Sequence, residues 1–120
     1  MATKPKKISV FFFQNDNGKM PVHDWLAGLS KKNKKIIGED IKTVELGWPV
    51  GMPVAKSIGN KLYEVRSVLK NGDQSRVIFT IYKNQMILLH GFIKKTQKIR
   101  KQDLNLAKSR MKKFIKVTQK

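Results

Sequence analysis

Cysteine is absent from this chain, and its 120 residues include only two histidines and eight acids. Without thiols there is no disulfide framework and no thiolate metal site, which points to a cytoplasmic protein. So few imidazoles and carboxylates leave little from which to build a metal centre, and neither metal nor cofactor is expected. Long apolar runs are missing too. None approaches the roughly 20 residues that a membrane-spanning helix needs. The basic start, Met1 to Lys7, leads into an apolar run too short for the core of a signal peptide. No membrane role is expected.

The scarcity of acids has a second consequence. Twenty-six Lys and Arg against eight Asp and Glu leave a net charge of +18. A domain this basic suits nucleic acid, an acidic protein or an anionic membrane surface. A surface tuned only for solubility would mix the two signs. With 40% hydrophobic residues the chain can still bury a modest core, so a single domain over residues 1–120 is expected.

The stretch from Lys61 to Lys95 organises the rest. Three runs of β-branched and aromatic residues, Lys61–Arg66, Ser75–Tyr82 and Met86–Lys95, are separated by Asn71-Gly72-Asp73 and by Lys83-Asn84. Strand-length runs joined by turn chemistry predict a three-stranded antiparallel meander. Alternation along a strand then sorts the side chains by face. One parity collects Tyr63, Val65, Val77, Phe79, Ile81, Ile87, Leu89 and Ile93, which should pack on helices. The other collects Glu64, Arg66, Arg76, Thr80, Tyr82, His90, Phe92 and Lys94. That face is cationic and aromatic, a surface for a polyanion.

Before the meander, Ile8 to Phe13 reads as a strand closed by Asn15-Asp16-Asn17-Gly18. Pro21 suits a first helical position, and Val22, Trp25, Leu26 and Leu29 fall on one helical face. Ser30 can cap a second helix carrying Ile37, Ile41 and Val44 inward and Lys31, Lys32, Lys34 and Lys35 outward. Gly47 to Lys61, with Trp48-Pro49, Gly51, Met52-Pro53 and Gly59-Asn60, is rich in breakers and reads as a connector. After the meander, Leu104, Ala107, Met111, Phe114 and Ile115 lay a stripe on a final helix, with Asp103 near its start. Residues 94–120 hold eleven Lys or Arg and one acid, Asp103.

Several strings resemble a known family. Lys-Leu-Tyr-Glu-Val-Arg at 61–66, Ser-Arg-Val-Ile-Phe at 75–79 and Leu-Leu-His-Gly-Phe-Ile-Lys-Lys-Thr at 88–96 are similar to the phage-derived branch of the RelE/HigB/ParE toxin superfamily. Gly-Lys-Met-Pro-Val-His-Asp-Trp-Leu at 18–26, and Asp103-Leu104, Ala107 and Arg110 ahead of an aromatic, resemble the same branch. The resemblance implies an α+β, RelE-like fold: a small twisted antiparallel sheet, with an N-terminal helical hairpin and a C-terminal helix packed on one face. It further implies the toxin of a type II toxin–antitoxin pair, a HigB-like messenger RNA interferase acting on the ribosome without metal. The implied partners are messenger RNA on the ribosome and a cognate antitoxin, often a helix-turn-helix protein, whose contacting segment should be acidic. One departure stands out. Many RelE-type toxins place a catalytic tyrosine near the C-terminus, and this chain has none after Tyr82.

Within the resemblance, Arg66, Arg76 and Lys95 match basic positions of the family. Metal-free RNA cleavage needs an aligned 2′-hydroxyl, a base and an acid, and positive charge on the phosphorane. Arg66 and Arg76 share a parity on neighbouring strands, and their planar donor forks suit phosphate oxygens, unless Arg66 pairs instead with Glu64 or Asp73 and Arg76 with Asp73. Losing either should remove charge from the phosphate without opening a core cavity. His90 titrates near neutral pH by nature, so it is a candidate proton carrier, or else a structural residue. Lys94 and Lys95 can bind phosphate, and neighbouring cations would ease loss of a proton from one of them. Lys98, Arg100 and Lys101, leaving the last strand, are candidate RNA contacts, and Tyr82 and Phe92 could stack a base or pack in the core. Two other classes stay open: a ParE-like poison of DNA gyrase, and an RNA-binding module without turnover.

Overall fold

The computed structural model describes residues 8–49 and 54–118, so Met1–Lys7 and Gly51, Met52 and Pro53 of the connector lie outside the described residues. Five strands and three helices follow in the order β1 (Ser9–Phe12), α1 (Pro21–Ala27), α2 (Lys31–Gly47), β2 (Ala55–Gly59), β3 (Leu62–Val68), β4 (Gln74–Tyr82), β5 (Gln85–Lys94) and α3 (Lys101–Thr118). The fold is α+β. The strands form one sheet in the order β1-β5-β4-β3-β2.

Local chemistry explains most of these boundaries. Pro21 opens α1 with its fixed φ, and the Ser30 hydroxyl accepts from the Asn33 amide at 3.2 Å to cap α2. Lys83 and Asn84 both adopt positive φ, 48° and 64°, the geometry of a two-residue hairpin turn whose twist matches the strands it joins. The expected meander is therefore present as β3, β4 and β5.

Three features differ from expectation. The sheet is mixed, because β1 pairs parallel with β5, Ser9 opposite Gln85 through Phe12 opposite Leu88. Part of the expected connector, Ala55–Gly59, is an edge strand, joined to β3 by Asn60 and Lys61 at φ 56° and 64°. Lastly, α3 does not share a face with the helical hairpin. Ile37, Ile41 and Val44 of α2 and Val22 of α1 pack with Val65, Val77, Phe79, Met86 and Leu88. Ala107 of α3 packs instead with Phe13, Leu62, Ile78, Ile87, Leu89 and Phe92. Each face of the sheet thus carries its own apolar cluster, with helices on both sides.

A β-bulge explains why parity misassigned part of β5. Ile78 pairs with His90 but Phe79 pairs with Leu88, so Leu89 is the extra residue. One inserted residue flips every side chain beyond it to the other face. Ile87 and Leu89 therefore belong with α3, and Met86 and Leu88 face the hairpin instead. Past the bulge, Gly91 lies under Trp25: a Cβ there would come within 2.4 Å of the indole Cε3. Only glycine lets α1 seat its indole on β5 at this point.

Candidate functional site

Where β3, β4 and β5 run out toward the loop after Val68 and the link before α3, four cations gather around one carboxylate. Glu64, on β3, is 5% exposed. Its Oε2 lies 3.6 Å from Arg76 Nε and its Oε1 lies 3.9 Å from Arg66 Nε. Arg66 and Arg76 are direct cross-strand partners, which is why a single carboxylate can reach both. On β5, Phe92 stands opposite Arg76 and Lys94 opposite Gln74. Lys56 of the edge strand stands opposite Glu64 in the β2–β3 register, which brings a fourth cation to the same place.

The two arginines are not equivalent. Arg66 leaves its side chain 28% exposed, whereas that of Arg76 is 2% exposed. Arg76 Nη1 donates to the Ser75 carbonyl at 2.9 Å and Nη2 to Gln74 Oε1 at 2.8 Å, while Nε has Glu64 alone beside it. Burial lowers the Arg76 pKa, with Glu64 opposing and Arg66 adding to the shift. The expectation that either arginine could be removed without opening the core fails for Arg76, which is among the largest fully buried side chains. Its charge is nevertheless felt by Lys94.

Lys94 shows that influence. Its ammonium is pulled below the ordinary lysine value, first by desolvation, then by Arg76, Arg66 and Lys56, with Glu64 opposing. It stands between two open cavities. One, of about 450 Å³, lies between the β3–β4 turn and the link that follows β5, and Lys95 lines it as well. The other, of about 300 Å³, is bounded by Lys56, Glu64, Lys98 and the start of α3. Lys95 and Lys98 are exposed on that link, as are Arg100 and Lys101 where α3 begins.

His90 belongs to a separate network. Its Nε2 is 2.7 Å from Asp103 Oδ1, and its Nδ1 is 3.5 Å from Arg110 Nη1. A guanidinium only donates, so Nδ1 is the acceptor and the proton sits on Nε2, donated to Asp103. Arg110 Nη1 also donates to the Leu89 carbonyl at 2.8 Å, taking up the backbone oxygen of the bulge. Arg100 approaches the other Asp103 oxygen at 3.4 Å. His90 thus fastens β5 to the first turns of α3. Four residues of strand, roughly 13 Å, separate it from Lys94, and Phe92 stands between them. The structure gathers Arg66, Arg76 and Lys94 at one place and leaves His90 outside it.

The two candidate stacking rings are both packed. Phe92 is 8% exposed and lies face to face with the His90 ring at 5.4 Å. Tyr82, at the far end of β4, meets Phe114 of α3 edge-on at 5.8 Å. Sequence reading offered Glu64 to Arg66 but missed it as the hub that also holds Arg76, and missed Lys56 as the fourth cation and the Asp103–His90–Arg110 chain. The i, i+2 spacing of Glu64 and Arg66 was the only local trace of the first, and nothing local marks the last. Among the described residues no group of three His, Cys, Asp or Glu side chains could hold a metal ion. No helix among them is long and apolar enough to cross a membrane.

Comparison with known proteins adds one finding. A family model described as phage-derived protein, Gp49-like (DUF891), matches residues 24–112, which include every residue of both networks. No curated protein matches the chain.

Proposed function

The chain belongs to the Gp49-like family of phage-derived proteins, a family associated with toxin–antitoxin toxins, and on that premise we propose that it is the toxin of a type II pair. In this reading it is a HigB-like, metal-independent endoribonuclease that cuts messenger RNA on the ribosome. The observation that carries the proposal is the cluster of Lys56, Arg66, Arg76 and Lys94 around Glu64, opening into cavities on both sides of Lys94. With Lys95 added, five cations face Glu64 and, across the larger cavity, Asp73, which leaves a local excess of positive charge suited to a phosphodiester.

The chemistry divides among these residues. The 2′-oxygen forms a bond to the adjacent phosphorus and the bond from phosphorus to the 5′-oxygen breaks, leaving a 2′,3′-cyclic phosphate and a 5′-hydroxyl. Arg66 and Lys95 hold the non-bridging oxygens as charge builds on the phosphorane. Lys94, whose lowered pKa makes its neutral form more accessible, takes the 2′-hydroxyl proton. Lys95 gives a proton to the departing 5′-oxygen. Arg76 acts as a positioning residue, fixing Glu64 and Gln74 and lowering the Lys94 pKa. His90 acts as another, through Asp103. Lys98, Arg100 and Lys101 follow the RNA strand away from the cut, and Tyr82 and Phe92 support the sheet beneath it. An antitoxin that silences this surface would meet it with an acidic segment.

The test is to add the purified protein to ribosomes translating a defined message and to map new RNA 5′ ends. Cuts inside the reading frame that carry 5′-hydroxyls, and that disappear with Lys94→Met, are expected. Messages left intact on translating ribosomes would overturn the proposal.

A further inference from the structure

The larger cavity beside Lys94 has a lining that phosphate binding does not require. Asp73, Gln74, Thr96 and Gln97 join Lys94 and Lys95 around about 450 Å³ of open space. That volume falls in the range of small-ligand sites. A site built for phosphate alone would present donors and exclude carboxylates. This one contains Asp73, which among the described residues forms no ion pair despite its basic surroundings.

The polar groups are held in place. Asp73 Oδ2 accepts from Asn71 Nδ2 at 3.0 Å, and the Asp73 amide donates to Asn71 Oδ1 at 3.1 Å. The carboxylate is thereby oriented while keeping Oδ1 and spare lone pairs. Gln74 Oε1 accepts from Arg76 Nη2, and because a guanidinium has no acceptor the amide cannot be flipped. Its Nε2 keeps two N–H donors, and Gln74 lines both this cavity and a neighbouring one bounded by Arg66 and Arg76. The Thr96 hydroxyl donates its proton to the Lys98 carbonyl, leaving acceptor lone pairs on its oxygen. An oriented acceptor and an oriented amide, neighbours in the chain, therefore line the same cavity as Lys94.

From this arrangement we propose that the cavity is a nucleobase subsite that selects guanine next to the phosphate held at Lys94. Guanine alone among the four bases offers two adjacent donors, N1–H and the N2 amino group, beside an acceptor, O6. Asp73 takes the two donors and the Gln74 amide meets the acceptor. Adenine and cytosine each present one amino donor flanked by a ring acceptor, and uracil presents one N–H between two carbonyls, so each leaves a group mismatched. Unstacked RNA bases are read along these edges. The inference rests on the endonuclease reading for the presence of a phosphate at Lys94, and it adds which base lies beside it.

The test uses binding to the free protein, with no ribosome and no cleavage. Trinucleotides of 2′-deoxy sugars, which cannot attack their own phosphates, carry guanine, hypoxanthine, adenine, cytosine or uracil at the centre. Their affinities are measured by titration against native protein and against Asp73→Asn. The central guanine should bind about tenfold more tightly than the others, as expected for a two-donor contact. Hypoxanthine, which lacks only the N2 amino group, should lose most of that gain without any change to the protein. Asp73→Asn, which removes one negative charge and so tightens every trinucleotide alike, should bring guanine down to the level of adenine within that variant. Equal affinities for guanine and hypoxanthine, or a guanine preference that survives Asp73→Asn, would overturn the subsite. A guanine preference in a protein that leaves ribosomal messages intact would sink the endonuclease reading alone, and cleavage with no preference would sink the subsite alone.

Discussion

Replacing Arg76 by alanine tests the central feature of the site. Arg76 is 1% exposed and Glu64 is 5% exposed, so the substitution leaves a buried carboxylate whose Oε2 has lost the cation 3.6 Å away. With an effective dielectric constant near 20, the attraction between unit charges at that separation is about 5 kcal/mol. Breaking one side of a buried pair costs about 3–5 kcal/mol in measured cases. Arg66, 3.9 Å from the other carboxylate oxygen, retains part of the compensation, which favours the lower end of that range. For a chain of this size about 3 kcal/mol lowers the melting temperature by roughly 10 °C. The partly exposed Arg66 pair is screened by water, and Arg66→Ala should cost only about 0–1 kcal/mol. The double variant Glu64→Met with Arg76→Met removes both charges together and should melt close to the native protein, since apolar replacement of a whole buried pair is often neutral. Thermal melts of the two singles, the double and the native protein form the assay. If Arg76→Ala melts within a degree or two of native, or the double melts no higher than Arg76→Ala, Arg76 is not a buried partner of Glu64.

The Lys94 ammonium, followed by NMR, should titrate below the ordinary lysine value, and Arg66→Gln should move it back upward by removing one of the cations that lower it. The folded state then holds this proton less tightly than the unfolded chain, so the Lys94 contribution makes stability rise with pH between the lowered value and the ordinary one; cleavage should rise through the same lowered value. His90→Ala should lose melting temperature together with activity, because it strips the buried Asp103 of its 2.7 Å partner at a cost of about 1–3 kcal/mol, whereas His90→Gln, which can still donate to Asp103, should recover part of both. A His90→Ala protein that melts normally yet cleaves far more slowly would return His90 to proton transfer. Gly91→Ala should cost about 1–3 kcal/mol by overpacking, and Trp25→Leu in the same chain should relieve it, both read from urea midpoints.

Some of this protein could be read from short stretches of its chain. Helix periodicity, the Ser30 cap, the turn at Lys83-Asn84 and the meander it closes depend on neighbours a few residues apart, and each is present in the structure. The excess of basic residues is a property of composition alone. Other features depended on pairings between distant segments. β1 finds its parallel partner in β5 more than seventy residues later, a choice that no local pattern encodes. Ala55–Gly59 has weak strand propensity and becomes a strand because β3 offers it an edge. The bulge at Leu89 leaves the hydrophobic content of β5 unchanged but reverses which face Ile87 presents, so alternation read through it fails on one side. Parity placed Arg66 and Arg76 on one face, yet only packing decides that one is open to solvent and the other closed in around Glu64. Likewise His90 shows its composition in the sequence and its role only once α3 brings Asp103 and Arg110 across to it. Backbone propensity and side-chain period act over a few residues, whereas burial and ion pairing are set by whichever distant segment arrives at the same place.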